Sequence, residues 1–263
     1  VELGLRGKSA IVAAASKGIG RAIAFGLAAE GVRLAICARE PGPLEKTAQE
    51  IADVTRSDVL AIPADVSRAE DIRRLVSMAA MAFGDLHILV NNVGGPPPGS
   101  FDEPTDAEWQ GAIDLNLMST VRLSRDVIPR MRRAGGGRII NVMSMSMREP
   151  VNGLILSDAV RGAVIGLAKT MANELARDRI TVNTVCPGWI LTDRFRALTK
   201  SPAANEGRSL EDFMKMQEAE IPLGRYGRPE EVVHLVVFLA SEAAGYITGT
   251  TIQVDGGLMT GLM

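Results

Sequence analysis

With 263 residues, 46% of them apolar and 23% charged, the chain has enough apolar mass to bury a sizeable core, which excludes a disordered protein and a small disulfide scaffold. Its 29 Lys and Arg stand against 31 Asp and Glu, a formal charge of -2, so no chain-wide basic field exists to hold nucleic acid or an anionic membrane surface. Cys37 and Cys186 each sit in an apolar run with no CxxC or Cys/His cluster, the pattern of buried thiols in a reducing compartment and not of a structural metal site.

In chain order, short apolar runs alternate with stretches of helical period. Strands are predicted at 9–13, 33–38, 59–63, 88–91, 138–143, 181–186 and 251–254, and helices at 21–30, 44–55, 68–83, 106–131, 157–177 and 229–240. Uninterrupted apolar strands such as Leu34-Ala35-Ile36-Cys37-Ala38 suit a parallel sheet covered on both faces, with right-handed helical crossovers. The expectation is a single-domain α/β chain over 1–263: a doubly wound, Rossmann-type fold with a seven-stranded parallel sheet and helices on both faces. The polar stretch 192–220, which contains Pro202 and Gly207, is the one long break in the pattern. It reads as a mobile substrate flap beside a ligand cleft, or else as a surface insertion. No uncharged apolar stretch approaches the length of a membrane span, and residues 1–8 have no signal-type apolar run, so the chain reads as cytoplasmic, with no membrane partner.

The first strand runs into Ala13-Ala14-Ala15-Ser16-Lys17-Gly18-Ile19-Gly20-Arg21, a glycine turn opening a helix, where free N–H groups and the helix dipole favour a pyrophosphate. Asn91-Asn92-Val93-Gly94 follows the fourth strand and Pro187-Gly188 the sixth. With these motifs the chain resembles the classical short-chain dehydrogenase/reductases, in particular their 3-oxoacyl-acyl-carrier-protein reductase-like members. The likeness spans nearly the whole chain and includes Asp65-Val66, Asn116 and Asp255-Gly256-Gly257. It implies an oxidoreductase that binds a nicotinamide cofactor and a small-molecule substrate as a homodimer or homotetramer, with the small residues Ala159, Gly162, Ala163 and Gly166 in the interface. One departure is the pair Ala13-Ala14 where the family has Thr-Gly; Ala14 is expected to fit with a negative φ.

By the same resemblance Ser16, Lys17, Gly18, Ile19 and Gly20 hold the cofactor diphosphate, Asp65 and Val66 flank adenine, and Asn92, Val93 and Gly94 line its ribose. Pro187 and Gly188 shape the loop from which Ile190 and Thr192 hold the carboxamide. Taken alone, Asp65 before Ser67 also reads as a helix start and Asn91-Asn92 as a turn. An acidic residue at the end of the second strand would bind the ribose 2′-OH. Here that position is Ala38, followed by Arg39. Arg39 and Lys17 stand where relatives that prefer NADP carry cations, so NADP(H) is expected over NAD(H); the competing reading is two solvated surface charges.

The family's catalytic signature is Ser, twelve residues, Tyr, three residues, Lys. Counted from Ser144, it falls on Ser157 and Arg161. A register from Ser146 gives Ala159 and Ala163 instead, and the two tyrosines, Tyr226 and Tyr246, lie in the C-terminal quarter. A phenol near pKa ~10 can be lowered by a neighbouring cation to work as acid or base; an alkyl hydroxyl cannot. Ser157 is also too short to reach the phenol position, and Arg161, one helical turn on, can bind ribose hydroxyls but stays charged. Ser144 is then a hydroxyl donor to a substrate oxygen, Asn116 an anchor for water or helix, and the proton source is open.

Asp158, rotated about 100° from Ser157 on a helix, is expected to face solvent or to cap. Halohydrin dehalogenases resemble this chain in placing Arg at the Lys position but keep the Tyr and lack the glycine motif. Met143, Met145 and Met147 fit core filling or an apolar substrate wall, and His87 and His234 fit structural roles. Three functions remain open: an NADP-dependent oxidoreductase on a carbonyl or alcohol with an atypical site, a catalytically silent NADP-binding protein or inactive partner subunit, and a non-redox lyase or isomerase.

Overall fold

Continuous apolar strands need two covered faces, and the computed structural model, which describes residues 2–147 and 149–261, supplies them. β1 (Ser9–Val12), β2 (Arg33–Ala38), β3 (Val59–Pro63), β4 (Ile88–Asn92), β5 (Gly137–Val142), β6 (Ile180–Pro187) and β7 (Thr251–Val254) form one sheet ordered β3-β2-β1-β4-β5-β6-β7. Every neighbouring pair is parallel. The doubly wound expectation holds.

Alternation along each strand splits the core in two. Ala10 and Val12 face the helices α1 (Gly18–Ala29), α2 (Pro41–Thr55) and α9 (Pro229–Ala240). Ile11 and Ala13 face α3 (Ala69–Phe83), α5 (Ser119–Arg133) and α6 (Ile155–Leu175) on the other side. Between β1 and β4 the winding reverses direction, and such a switch point opens a crevice at the carboxyl ends of the strands. The segments after β1, β4, β5 and β6 meet there.

The predicted helix 106–131 is divided. α4 (Asp106–Ala112), opened by a Thr105–Glu108 capping box, passes through a π-helical turn, Ile113–Met118, into α5. Asn116 is buried in this turn, and π turns inside helices often mark functional sites. The stretch 192–220 is not an irregular break: it contains α7 (Asp193–Asn205) and α8 (Leu210–Glu220). Thr192 and Ser209 cap them, each accepting a backbone N–H three residues on, from Phe195 at 3.1 Å and from Asp212 at 3.1 Å. Their apolar side chains join Trp189, Leu191, Ile221, Tyr226 and Leu258 in a satellite cluster, apart from the two main cores. Cys37 and Cys186 are buried, as expected, and burial pushes the Cys37 thiol up to about 12. Among the described residues no helix is long and apolar enough to cross a membrane, and no group of His, Cys, Asp and Glu could hold a metal ion.

Candidate active site

The chain leaves β1 with the Ala13 N–H on the Val90 carbonyl (3.1 Å) and the Ala15 N–H on that of Cys37 (2.9 Å). Between them Ala14 has φ 49°, which corrects the expectation of a negative φ. The reason is on its two sides. Asn92 Nδ2 donates to the carbonyls of Ala13 (3.1 Å) and Ala14 (3.4 Å), and Gly20 lies so close that a Cβ there would stand 2.3 Å from the Ala14 oxygen. The Ala14 carbonyl is thus held between α1 and β4, and the left-handed backbone that turns it there is retained at a cost to alanine. Asn92 braces the turn in this way; Val93 is buried beside it.

Lys17 is the N-cap of α1 and gives it no side-chain cap, so the first-turn N–H groups at Gly18 and Ile19 are directed out of the helix end. Ser16 accepts at its carbonyl from the Thr47 hydroxyl (3.1 Å), which ties the turn to α2. Lys17 and Arg39 are exposed, each two residues beyond the Ala15–Cys37 bond that joins their segments. Asp65 Oδ1 accepts from the backbone N–H (3.0 Å) and hydroxyl (2.7 Å) of Ser67, the local helix-start role, while Val66 is buried. On the far side, Pro187 ends β6 against Val254. A Cβ on Gly188 would stand 2.6 Å from that of Asp255, so only glycine fits that approach. Ile190 is buried and pairs with Gly227.

The predicted catalytic residues converge around one buried cation. Arg161, 8% exposed, donates from Nε to Asn116 Oδ1 (3.1 Å), from Nη1 to the Met143 carbonyl (3.2 Å) and from Nη2 to the Val93 carbonyl (3.5 Å). It thus ties α6 to the ends of β4 and β5 and to the π turn, where Asn116 Nδ2 donates to the Ala112 carbonyl (3.3 Å). Burial first, and the Arg194 charge second, push the Arg161 guanidinium down to about 10. Ser157 is buried one turn earlier on α6, and Ser144, just past β5, accepts from the Ser146 N–H (3.3 Å). Asp158 does not face open water. Its Oδ2 accepts from the Val151 N–H (3.0 Å), tying down the segment before α6, and burial raises its carboxyl above the usual range against the lowering effect of the Ser146 hydroxyl and Val151.

Neither tyrosine enters this corner. The Tyr226 hydroxyl donates to the Met214 carbonyl (2.8 Å) in the satellite cluster, and burial pushes its phenol up to about 12; Tyr246 is fully exposed. Met143 and Met145 are buried. His87 shares Nδ1 with the Ser9 N–H (3.2 Å) at the opposite, amino end of the strands, and His234 is exposed on α9. One residue that sequence reasoning passed over is Arg194, in the first turn of α7. Its Nη2 donates to the Gly95 carbonyl (2.8 Å) across the crevice mouth. A Cβ on Gly95 would lie 3.1 Å from Arg194 Nη2 and 3.3 Å from Arg161 Nη2, so these two atoms stand no more than about 6.4 Å apart, where like charges disfavour each other. No spacing signal marks Arg194; only the fold brings it to Gly95.

Residues 13–259 match the family model of Enoyl-(Acyl carrier protein) reductase. The 3-oxoacyl-(acyl-carrier-protein) reductase FabG of Staphylococcus epidermidis is 36% identical over 255 residues, 95% of this chain and 98% of that protein. Among solved structures, L-sorbose reductase from Gluconobacter frateurii, complexed with NADPH and L-sorbose, matches over 100% of both chains with a TM-score of 0.95 and 33% identity. YwfH, an NADPH-dependent reductase involved in bacilysin biosynthesis, matches over 97% of this chain and 99% of its own, with a TM-score of 0.93 and 29% identity.

Proposed function

The chain belongs to the short-chain dehydrogenase/reductase family, and on that premise we propose that it is an NADP(H)-dependent oxidoreductase for a carbonyl or alcohol substrate, with the atypical set Asn116, Ser144, Ser157 and Arg161. The observation that carries the reading is the bond from Arg161 to Asn116 Oδ1, which joins two members of the set beside the carboxyl ends of β4 and β5. The crevice suits the cofactor because the first turn of α1, packed against Ala14 and Asn92 at Gly20, offers N–H groups to a diphosphate.

Ser16, Lys17, Gly18, Ile19 and Gly20 hold that diphosphate, and Lys17 with Arg39 takes the 2′-phosphate as a charge-assisted pair. Asp65 and Val66 flank the adenine, Asn92, Val93 and Gly94 its ribose, and Pro187, Gly188, Ile190 and Thr192 the carboxamide. Arg161 keeps two N–H groups beyond the three it spends on the fold, one of them free to donate to a nicotinamide ribose hydroxyl. When bound, the cofactor supplies the hydride.

The Ser144 hydroxyl donates to the substrate carbonyl oxygen. Ser157, being shorter than a tyrosine, leaves space in which water passes the proton that no side chain of α6 can give at neutral pH. α7 and α8 form the substrate flap, and the exposed small-residue face of α6, where Cβ atoms at Gly162 and Gly166 would meet nothing within 4 Å, is the face of a homodimer or homotetramer. One observation favours a second reading: three donors of Arg161 are already committed to the fold, as in a silent NADP-binding subunit.

Fluorescence titration with NADPH and NADH tests the cofactor assignment. NADPH should bind more tightly, and Arg39→Asp should reverse the order, each lost charge-assisted contact weakening NADPH on the order of tenfold or more. Equal affinities, unchanged in the variant, would leave Lys17 and Arg39 as surface charges.

A further inference from the structure

Arginines brought this close inside one crevice ordinarily share a carboxylate. Among the described residues neither Arg161 nor Arg194 has an ion-pair partner. Their known acceptors are an amide oxygen and three main-chain carbonyls, those of Met143, Val93 and Gly95. The repulsion from Arg194 outranks the opposing influences of Cys186 and Asp158 on Arg161. Asp158 is itself engaged with the Val151 N–H through Oδ2. Both Nη2 atoms approach the same face of Gly95, so closely that a Cβ there would crowd them. A carbonyl carries only a partial charge, so a guanidinium pair held by carbonyl oxygens retains unspent donors and a positive field directed at one point.

We propose that Arg161 and Arg194 form an oxyanion subsite over Gly95, and that the substrate reduced here carries a carboxylate or phosphate group which this pair receives. The proposal rests on the reductase reading above and adds the substrate class to it. The two cations differ in role. Arg161 is buried and fixed by three elements, so it sets the direction of the bound group. Arg194 is exposed on the first turn of α7, so it can leave Gly95 as the anion arrives and then hold α7 over the crevice. A phosphate of the cofactor has the same chemistry, and the test is built to tell the two sources apart.

The probes are succinate and inorganic phosphate, with uncharged succinamide as the control, titrated by tryptophan fluorescence into the chain with and without saturating NADP+. The expected result is that both anions bind the NADP+-loaded chain and succinamide does not. Arg194→Met should then weaken the anions tenfold or more, Arg194→Lys should restore much of that, and NADPH affinity should change less than threefold in either variant. Three results overturn the proposal: succinate and succinamide binding alike, no binding of either anion to the loaded chain, or NADPH affinity falling in Arg194→Met by the same factor as the anions. The third would give the pair to a cofactor phosphate. A parent chain that binds no NADPH overturns the cofactor assignment instead, and the nucleotide-free titration still reads the arginine pair, because Arg194→Met must then abolish anion binding for the subsite to stand.

Discussion

On the β1 side of the crevice the work falls to backbone: a carbonyl pinned by Asn92, a glycine with no room for a Cβ, and the N–H groups of a helix end. On the β4–β5 side the proposed set is one of side chains: Asn116 in a π turn, Ser157 and Arg161 in the first two turns of α6, and Ser144 just past β5. The backbone side tolerates a departure from the family pattern, because Ala14 takes up the left-handed φ that glycine would have had. On the proposed reading the side-chain side does not have that freedom, since a serine at the family's tyrosine position offers no titrating group.

The sharpest way to break this contrast is at Gly20. Gly20→Ala would set a Cβ 2.3 Å from the Ala14 oxygen and 2.6 Å from Asn92 Nδ2; the first is backbone and the second is held by its bonds to the Ala13 and Ala14 carbonyls. The turn must shift, at a cost of about 3 kcal/mol or more. NADPH binding should be lost, and the melting temperature should fall. A variant that binds NADPH like the parent would show that the turn is looser than its contacts imply.

The second effect sharpens the other half. Ser157→Tyr with Arg161→Lys rebuilds a phenol beside a lowering cation, at the family's spacing from Ser144. NADPH-dependent reduction of a simple ketone should appear or rise ~10²- to 10⁴-fold, with Ser157→Tyr alone giving less. The exchange also costs stability, because Lys cannot reproduce the three directed bonds of Arg161, and each buried acceptor left unmet costs about 1–3 kcal/mol. A folded double variant that binds NADPH yet reduces nothing would place the divergence in the pocket as a whole, and would favour the silent-subunit reading.

The strand pattern was readable because most of the strands are short, largely apolar runs between helical stretches, and the observed seven follow the predicted ones to within a residue. The glycine turn was readable because Gly18 and Gly20 sit between a strand and a helix. Other features were hidden for physical reasons. The π turn at Asn116 keeps the composition of an ordinary helix. α7 and α8 looked irregular because their polar faces dominate, while the few apolar residues that anchor them pack against residues outside both helices, Trp189, Tyr226 and Leu258. Ala14 gave no warning of its φ, which is imposed by Asn92 and Gly20 from outside the local sequence. Arg194 became visible only when the fold set it against Gly95.

The smallest expected effect tests whether the tolerance at Ala14 is free. A left-handed φ costs an L-residue roughly 1–2 kcal/mol, and glycine gives back about 0.5–1 kcal/mol through the larger freedom of its unfolded chain. Ala14→Gly should therefore stabilise the protein by about 0.5 kcal/mol, which for a chain of this size raises the melting temperature by only ~1–2 °C. NADPH affinity should not move, because the Ala14 carbonyl stays where Asn92 and α1 hold it. Calorimetry on parent and variant decides the matter. A variant less stable than the parent would mean that the Ala14 methyl makes packing contacts worth more than the strain, and the backbone side of the crevice would then owe its shape to side chains as well.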